Sequence, residues 1–317
     1  MKKCISMLLS LVMVLALAVP AYAAGENNAL RKGVSPVLQD VSTFLDNSTS
    51  VQTISISEHD LVTQLLKSNA ITKEDLNNEL NALSLKSYSE LEQRGYSKEQ
   101  IDVIKSYRMG EDAFSHVYGT SPNTRSASIF DAEVSFRFGL AGTNTQKDIR
   151  IAYDITWSEC PFWALTDSFG VGWIAADEDS KLVMTQIDYS EATVQYYDPD
   201  TDEYAGLYRN VTMNDFSNCV VIGNPIMGSA NGNYGKRIGG YTEISTQSGS
   251  YNIYTIQIFV AYGHTMISGT LASEVSLGWS KSETAITFVP SVEVTQEMMV
   301  QDKHTFLCSD NITVWPE

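Results

Sequence analysis

The chain has 317 residues, 43% of them hydrophobic, 19% charged and 10% aromatic, with only eight prolines. That composition belongs to a folded globular protein and excludes collagen, coiled coil and low-complexity linker. With 21 basic and 38 acidic side chains the formal net charge is −17, a field that repels phosphate backbones and anionic lipid, so nucleic acid is not an expected partner.

The first element is a leader. Lys2 and Lys3 precede an apolar run from Met7 to Val19, and Ala21, Tyr22 and Ala23 follow. A charged start, a short apolar core and small residues at the third-last and last positions predict a secretory signal over 1–23, cleaved after Ala23. The run is too short to span a membrane comfortably. Cys4 lies before the apolar core, so it is not an acylated lipoprotein cysteine. The expected localisation is secreted and extracellular. Three cysteines then remain, Cys160, Cys219 and Cys308. They allow at most one internal bridge, in any of three pairings, so the fold is no disulfide scaffold.

From Val34 to about Tyr118 apolar residues recur at three and four, the helical spacing. Val34, Val37, Leu38, Val41, Phe44 and Leu45 form the first stripe, with Ser35 as cap and Pro36 at the first helical position. A second begins at Ser57, where Asp60 stands three residues on, and a third runs from Thr72 with Leu76, Leu80 and Leu83. Ser87 with Glu90 forms a capping box, Gly95 offers a left-handed stop, and Ser97 with Gln100 restarts the chain for Ile101 and Ile104. His59 and His116 are far apart, and neither is followed by another ligand type one turn later.

Residues 119–128 carry no apolar stripe and read as a linker. Beyond it the period becomes two. Phe130, Ala132, Val134, Phe136, Phe138 and Leu140 alternate with polar residues and Gly139; Ile149, Ile151, Tyr153, Ile155 and Trp157 repeat the pattern, as do Tyr254, Ile256, Ile258, Val260 and Tyr262. Half-buried alternation interrupted by turn clusters predicts antiparallel sheets. The expected architecture is therefore α+β: a helical region over 24–125, then an all-β antiparallel sandwich over 126–317. Residues 126–317 hold 9 basic and 24 acidic side chains, so the β part carries most of the negative charge.

Leu91, Gly95, Tyr96, Ser97, Glu99, Gln100 and Ile101, the Trp157 to Trp173 region, and the run Tyr262, Gly263, His264, Thr265 resemble uncharacterised secreted proteins of Gram-positive bacteria. The resemblance covers roughly residues 86–295. It implies a secreted bacterial origin and no particular chemistry.

Four constellations are candidates for function. Asp198, Asp200 and Asp202 stand at the alternating spacing that opens a calcium loop, but Glu203 occupies the place of the turn glycine and Arg209 that of the closing glutamate. A hairpin tip between Tyr197 and Tyr204 is the competing reading, and Ca2+ is the only cofactor the sequence offers. The rings Trp157, Phe162, Trp163, Phe169 and Trp173 could form core or a sugar platform. Trp163, in a turn-like stretch after Cys160 and Pro161, is expected to be the exposed one and is the candidate binding residue. The serine- and threonine-rich stretches 267–280 and 283–295 alternate about a short polar turn, as in one more hairpin or in a transmembrane β-hairpin of the aerolysin kind. His264 lacks an identifiable nucleophile, and no zinc-protease, phosphate-loop or nucleophile-elbow motif is present, so no catalytic residue is assigned. The expectation is a non-enzymatic interaction protein for an extracellular partner or cell-surface component, with a pore-forming or antimicrobial, membrane-acting role as the alternative.

Overall fold

The computed structural model describes residues 29–48, 51–68, 71–119, 130, 132–141, 147–163, 166–211, 213–216, 219–225, 230–247, 252–264, 275–280, 283–290, 299–308 and 314–316. The predicted leader, and the predicted linker beyond Gly119, lie outside the described residues.

The first part runs β1 (Arg31–Lys32), α1 (Pro36–Asn47), β2 (Gln52–Ser57), α2 (Glu58–Ser68), α3 (Lys73–Ser84), α4 (Tyr88–Arg94), α5 (Lys98–Ser106) and α6 (Ala113–Tyr118). The helices start where their caps dictate. Ser35 Oγ accepts the Leu38 N–H at 3.3 Å with Pro36 just inside α1. Ser57 Oγ accepts the Asp60 N–H at 3.1 Å. Thr72 with Asp75, Ser87 with Glu90 and Ser97 with Gln100 close reciprocal capping boxes at α3, α4 and α5. Each satisfies two orphan amide donors that would otherwise need water. Gly95 ends α4 at φ +98°, a conformation open to glycine at little cost.

The second part is β3 (Glu133–Leu140), β4 (Asp148–Trp157), β5 (Thr166–Ala176), β6 (Leu182–Val183), β7 (Thr185–Tyr197), β8 (Tyr204–Asn210), β9 (Met213–Phe216), β10 (Cys219–Pro225), β11 (Tyr234–Thr246), β12 (Thr255–His264), β13 (Val275–Ser280), β14 (Glu283–Pro290), β15 (Met299–Cys308) and β16 (Val314–Pro316). One sheet has the order β1-β8-β7-β11-β4-β3-β2; a second has β16-β15-β12-β5-β10-β9, with β6 also on β5. All the pairings are antiparallel. The fold is α+β.

The alternation expected for β3 and β4 sorts as the period requires: Val134, Phe136, Phe138 and Leu140, and Ile149, Ile151, Tyr153, Ile155 and Trp157, are all buried. These side chains meet the inner face of the second sheet, where the Phe136 and Phe169 rings stack at 6.0 Å and Tyr153 meets Phe169 at 5.5 Å. In β12, Ile256, Ile258 and Val260 are buried while Tyr254, just before the strand, is exposed.

The described residues of 24–125 and of 126–317 meet in one core. The buried set runs without a break from Leu61 of α2, through Leu80 of α3 and Ile101 of α5, to Trp157 and Val260. β2 extends the first sheet as its edge, pairing Ile54 with Phe136 and Ile56 with Val134. The sequence reading placed only helices in this part. A half-exposed edge strand needs few apolar residues, so Gln52–Ser57 gives little strand signal of its own.

α1 lies on the outer face of the first sheet. Val37, Val41 and Leu45 pack on Ala141 and Ala152, and Gly239 lets the Leu38 side chain approach the β11 backbone, because a Cβ there would collide with Leu38 Cδ2. Polar contacts fix the helix as well. Buried Asp154 accepts from Arg237 at 2.8 and 2.7 Å, and Arg237 also donates to Ser42 Oγ of α1 at 2.8 Å. Arg137 donates to Asp46 at 2.8 Å.

Candidate functional site

The aromatic cluster of 157–173 is core, and the expectation for Trp163 is overturned. Trp163 is 1% exposed, and Trp157, Phe162, Phe169 and Trp173 are buried with it. The reason is local. Glu58, at the start of α2 and itself fully buried, accepts the backbone N–H groups of Phe162 at 2.9 Å and Trp163 at 2.7 Å. Gln100 Nε2 donates to the carbonyls of Cys160 and Pro161 at 3.0 and 3.2 Å. The turn is thereby pulled inward, and Phe162 packs on Phe130 at 5.2 Å and Tyr96 at 6.4 Å. Among the described residues the Trp163 indole N–H meets no acceptor. Cys160 is a buried thiol within 3.6 Å of the Gly95 carbonyl, and burial pushes its pKa well up.

Asp198, Asp200 and Asp202 form a capped turn joining β7 to β8. Asp198 Oδ1 accepts the N–H groups of Asp200 and Thr201, both at 2.9 Å, which closes an Asx turn. Asp200 turns away to accept the Lys98 N–H at 2.7 Å. Asp202, at φ +57°, accepts from the Tyr234 hydroxyl at 2.5 Å and pairs with Lys236. The three carboxylates face three different donor sets, and among the described residues no group of three His, Cys, Asp or Glu could hold a metal ion. Asp200 and Asp202 line a cleft of about 210 Å³ with Gln100, Phe130 and Cys160.

His264 ends β12 with Asp167 as its register partner on β5. The 267–295 hairpin is described only at β13 and β14, which pair Val275 with Pro290 and Leu277 with Phe288; its stretches 267–274 and 291–295 lie outside the described residues.

A face that sequence reading passed over has the stronger geometry. On the three central strands of the first sheet, beyond the edge of α1, the outward side chains are Arg150 of β4, Tyr241 and Glu243 of β11, and Tyr189 and Glu191 of β7. The register sets Glu243 between Arg150 and Tyr189, and Tyr241 against Glu191. Arg150 pairs with Glu243, through Nε at 2.9 Å and through its terminal nitrogen. Its guanidinium lies 4.9 Å from the Phe44 ring of α1 and 5.0 Å from that of Tyr241, a sandwich that orients the charge and joins helix to sheet. Tyr189 is 46% exposed, meets Tyr241 at 5.9 Å, and donates from its hydroxyl to Glu191 at 2.7 Å. That bond pushes the Tyr189 pKa up to about 12, with burial and the Glu191 charge adding to it.

A register shift between Glu243 and Ile244 leaves Asp188 as the extra residue of β7 opposite them. Such a bulge turns a side chain out of its normal alternation. Asp188 lines a cleft of about 320 Å³ with Asp148, Arg150, Glu243, Ala141 and Ile149. The individual signals were present in the sequence: an arginine and tyrosines at the wet parity of otherwise apolar strands. Their neighbourhood was not, because it depends on which strands pair.

No family model matches the chain, and no curated protein matches it. Solved structures similar to it include the collagen-binding domain from a Staphylococcus aureus adhesin, at 9% identity and TM-score 0.27, covering 56% of this chain and 98% of that one. A collagen-binding subdomain of an Enterococcus faecalis surface protein follows at 10% identity and TM-score 0.28, covering 57% and 96%. Clostridium perfringens delta-toxin is similar at 6% identity and TM-score 0.22, covering 59% and 88%. These likenesses carry no choice between adhesin and toxin.

Proposed function

We propose that the mature chain acts outside the cell as a non-enzymatic binding protein for a cell-surface component, and that its contact surface is the outer face of the first sheet beside α1. One observation carries the reading: Tyr189 stands exposed beside Tyr241, fastened by Glu191, and its register partner Glu243 lines a cleft with Asp188 and Arg150. Ordered aromatic rings next to a few oriented polar groups are the usual make-up of a recognition site. The signal sequence over 1–23 and the acidic surface agree with an extracellular, soluble partner-binder. The test is retention of the labelled mature chain on whole cells and on isolated cell-wall material. Tyr189→Ala together with Tyr241→Ala should abolish retention, and Tyr254→Ala, an exposed tyrosine elsewhere, should leave it intact; equal retention by all three forms would refute the assignment.

A membrane-acting role is the second reading. It is favoured by β13 and β14, which among the described residues form a two-stranded sheet of their own. Dye release from neutral and anionic vesicles at micromolar protein is its test, and intact vesicles of both kinds would discard it.

A further inference from the structure

We infer that the contact face proposed above docks a basic segment of a partner polypeptide, an inference that rests on that reading. The segment's guanidinium or ammonium groups lie beside the Tyr189 ring and pair with the Asp188 and Glu191 carboxylates.

The face already holds one cation of the chain's own in this manner. The Arg150 guanidinium stands 4.9 Å from the Phe44 ring and 5.0 Å from that of Tyr241, and its Nε donates to Glu243 at 2.9 Å. Ring faces and a carboxylate together suit a guanidinium, which is weakly hydrated and keeps a charge-assisted bond there. On the neighbouring strand β7 the same groups recur without a cation. Tyr189 is 46% exposed and 5.9 Å from Tyr241, and Glu191 follows it two residues on. The bulge brings Asp188 into the cleft that Glu243 also lines. Asp188 accepts from the Gln186 amide at 2.9 Å, and Glu191 from the Tyr189 hydroxyl at 2.7 Å. Among the described residues neither carboxylate has an ion-pair partner, and each keeps lone pairs to spare.

Charge sets the sign of the partner. Burial, and then the charges of Glu191, Glu243 and Asp40 of α1, opposed by Arg150, push the Tyr241 phenol up, so the ring pair sits in a negative field. Asp148 and Asp188 add to it at the cleft. Against these carboxylates stand Arg150, already paired with Glu243, and Lys147 at the head of β4. An anionic partner meets that surplus, and a second copy of this chain, with a formal net charge of −17, brings more of the same sign.

Spacing favours a polymer over a single small cation. Glu191 is about 6.5–7 Å along β7 from Tyr189, and β4 is two strand spacings, roughly 10 Å, across the sheet from β7. One ammonium group cannot meet the carboxylates of both strands, whereas a chain bearing several cations can. Capture is by side chains. β7, β11 and β4 are interior strands whose ladders are complete on both sides, so no strand adds itself here.

The experiment titrates the mature chain into labelled arginine–glycine, lysine–glycine and glutamate–glycine repeat peptides, read by fluorescence anisotropy, with spermine as competitor. The variants are Tyr189→Ala and the pair Asp188→Asn with Glu191→Gln. The controls are Tyr254→Ala and the pair Glu178→Gln with Asp179→Asn, which removes two charges from a distant hairpin; all are shown to keep the parent urea midpoint. The basic peptides should bind and the acidic one should not. The Asp188→Asn, Glu191→Gln pair should weaken binding roughly tenfold or more, Tyr189→Ala roughly fivefold, and the controls should leave it unchanged. Equal weakening by the control pair would reduce the effect to overall charge and overturn the proposal. Displacement by spermine at matched charge would overturn the polypeptide partner, and a dimer in sedimentation that Tyr189→Ala dissociates would put a second copy on the face instead. No binding of either basic peptide at millimolar concentration, with cell retention still lost in the Tyr189→Ala, Tyr241→Ala variant, would overturn the partner class and leave the contact face. Retention that this double variant leaves intact would remove the face and the partner together.

Discussion

The carboxylate of Glu58 accepts the backbone N–H of Trp163 at 2.7 Å, across 105 residues of chain. It closes the first turn of α2 onto the strand-connecting segment 158–163, with its other oxygen on Phe162. A buried carboxylate bonded to two backbone donors holds its partners more strongly than a neutral acceptor would. Replacement by Gln, which keeps one acceptor and places an amide N–H against the other donor, leaves a buried group unsatisfied. Glu58→Gln should cost about 2–3 kcal/mol, seen as a lower urea midpoint with unchanged slope.

Trp163 is a packing residue. Trp163→Ala should cost about 3–5 kcal/mol of stability and leave ligand affinity per folded molecule unchanged. Urea unfolding checks the first half of this statement, and retention on whole cells and cell-wall material, corrected for the folded fraction, checks the second.

Two adjacent glycines separate a soft collision from a hard one. A Cβ at Gly239 would meet the movable end of Leu38, whereas a Cβ at Gly240 would fall on the Glu191 carbonyl and 2.7 Å from both Ala192 Cβ and the Tyr153 hydroxyl. The latter neighbours are held by the β7–β11 ladder and the core. Gly240→Ala should therefore destabilise by about 1–3 kcal/mol, and Gly239→Ala by less, as measured by thermal or urea unfolding of the two variants side by side.

Buried tyrosines set the alkaline limit. Burial pushes the phenols of Tyr96, Tyr153 and Tyr234 up, and the hydrogen bond to Asp202 adds to the shift at Tyr234. The unfolded chain releases these protons near pH about 10, while the folded chain keeps them. Their contribution to stability is thus full below that pH and is lost as pH rises above it, at up to about 1.4 kcal/mol per pH unit for each phenol. Urea midpoints measured from neutral to alkaline pH should fall in that window, and Tyr96→Phe should make the fall shallower.

Much of the fold was legible without coordinates. Ser35, Ser57, Thr72, Ser87 and Ser97 mark helix starts, and Val134–Leu140 and Ile149–Trp157 mark strands, because caps and period-two alternation are local properties of a few consecutive residues. Local periodicity also told that Trp157 is buried. It misplaced Trp163, since the exposure of a turn is set by what reaches it from elsewhere, here Glu58 and Gln100. The meeting of Phe44, Arg150, Tyr189 and Tyr241 was equally out of reach. It requires α1 to lie across β4 and β11, β11 to pair with β7, and one extra residue in β7 to re-aim Asp188. The sequence by itself determined the acidic charge, the helix starts and the two-faced strands. Only the tertiary structure decided which rings are core and which are surface, because pairing register and side-chain contacts between distant segments are cooperative properties of the whole packed chain.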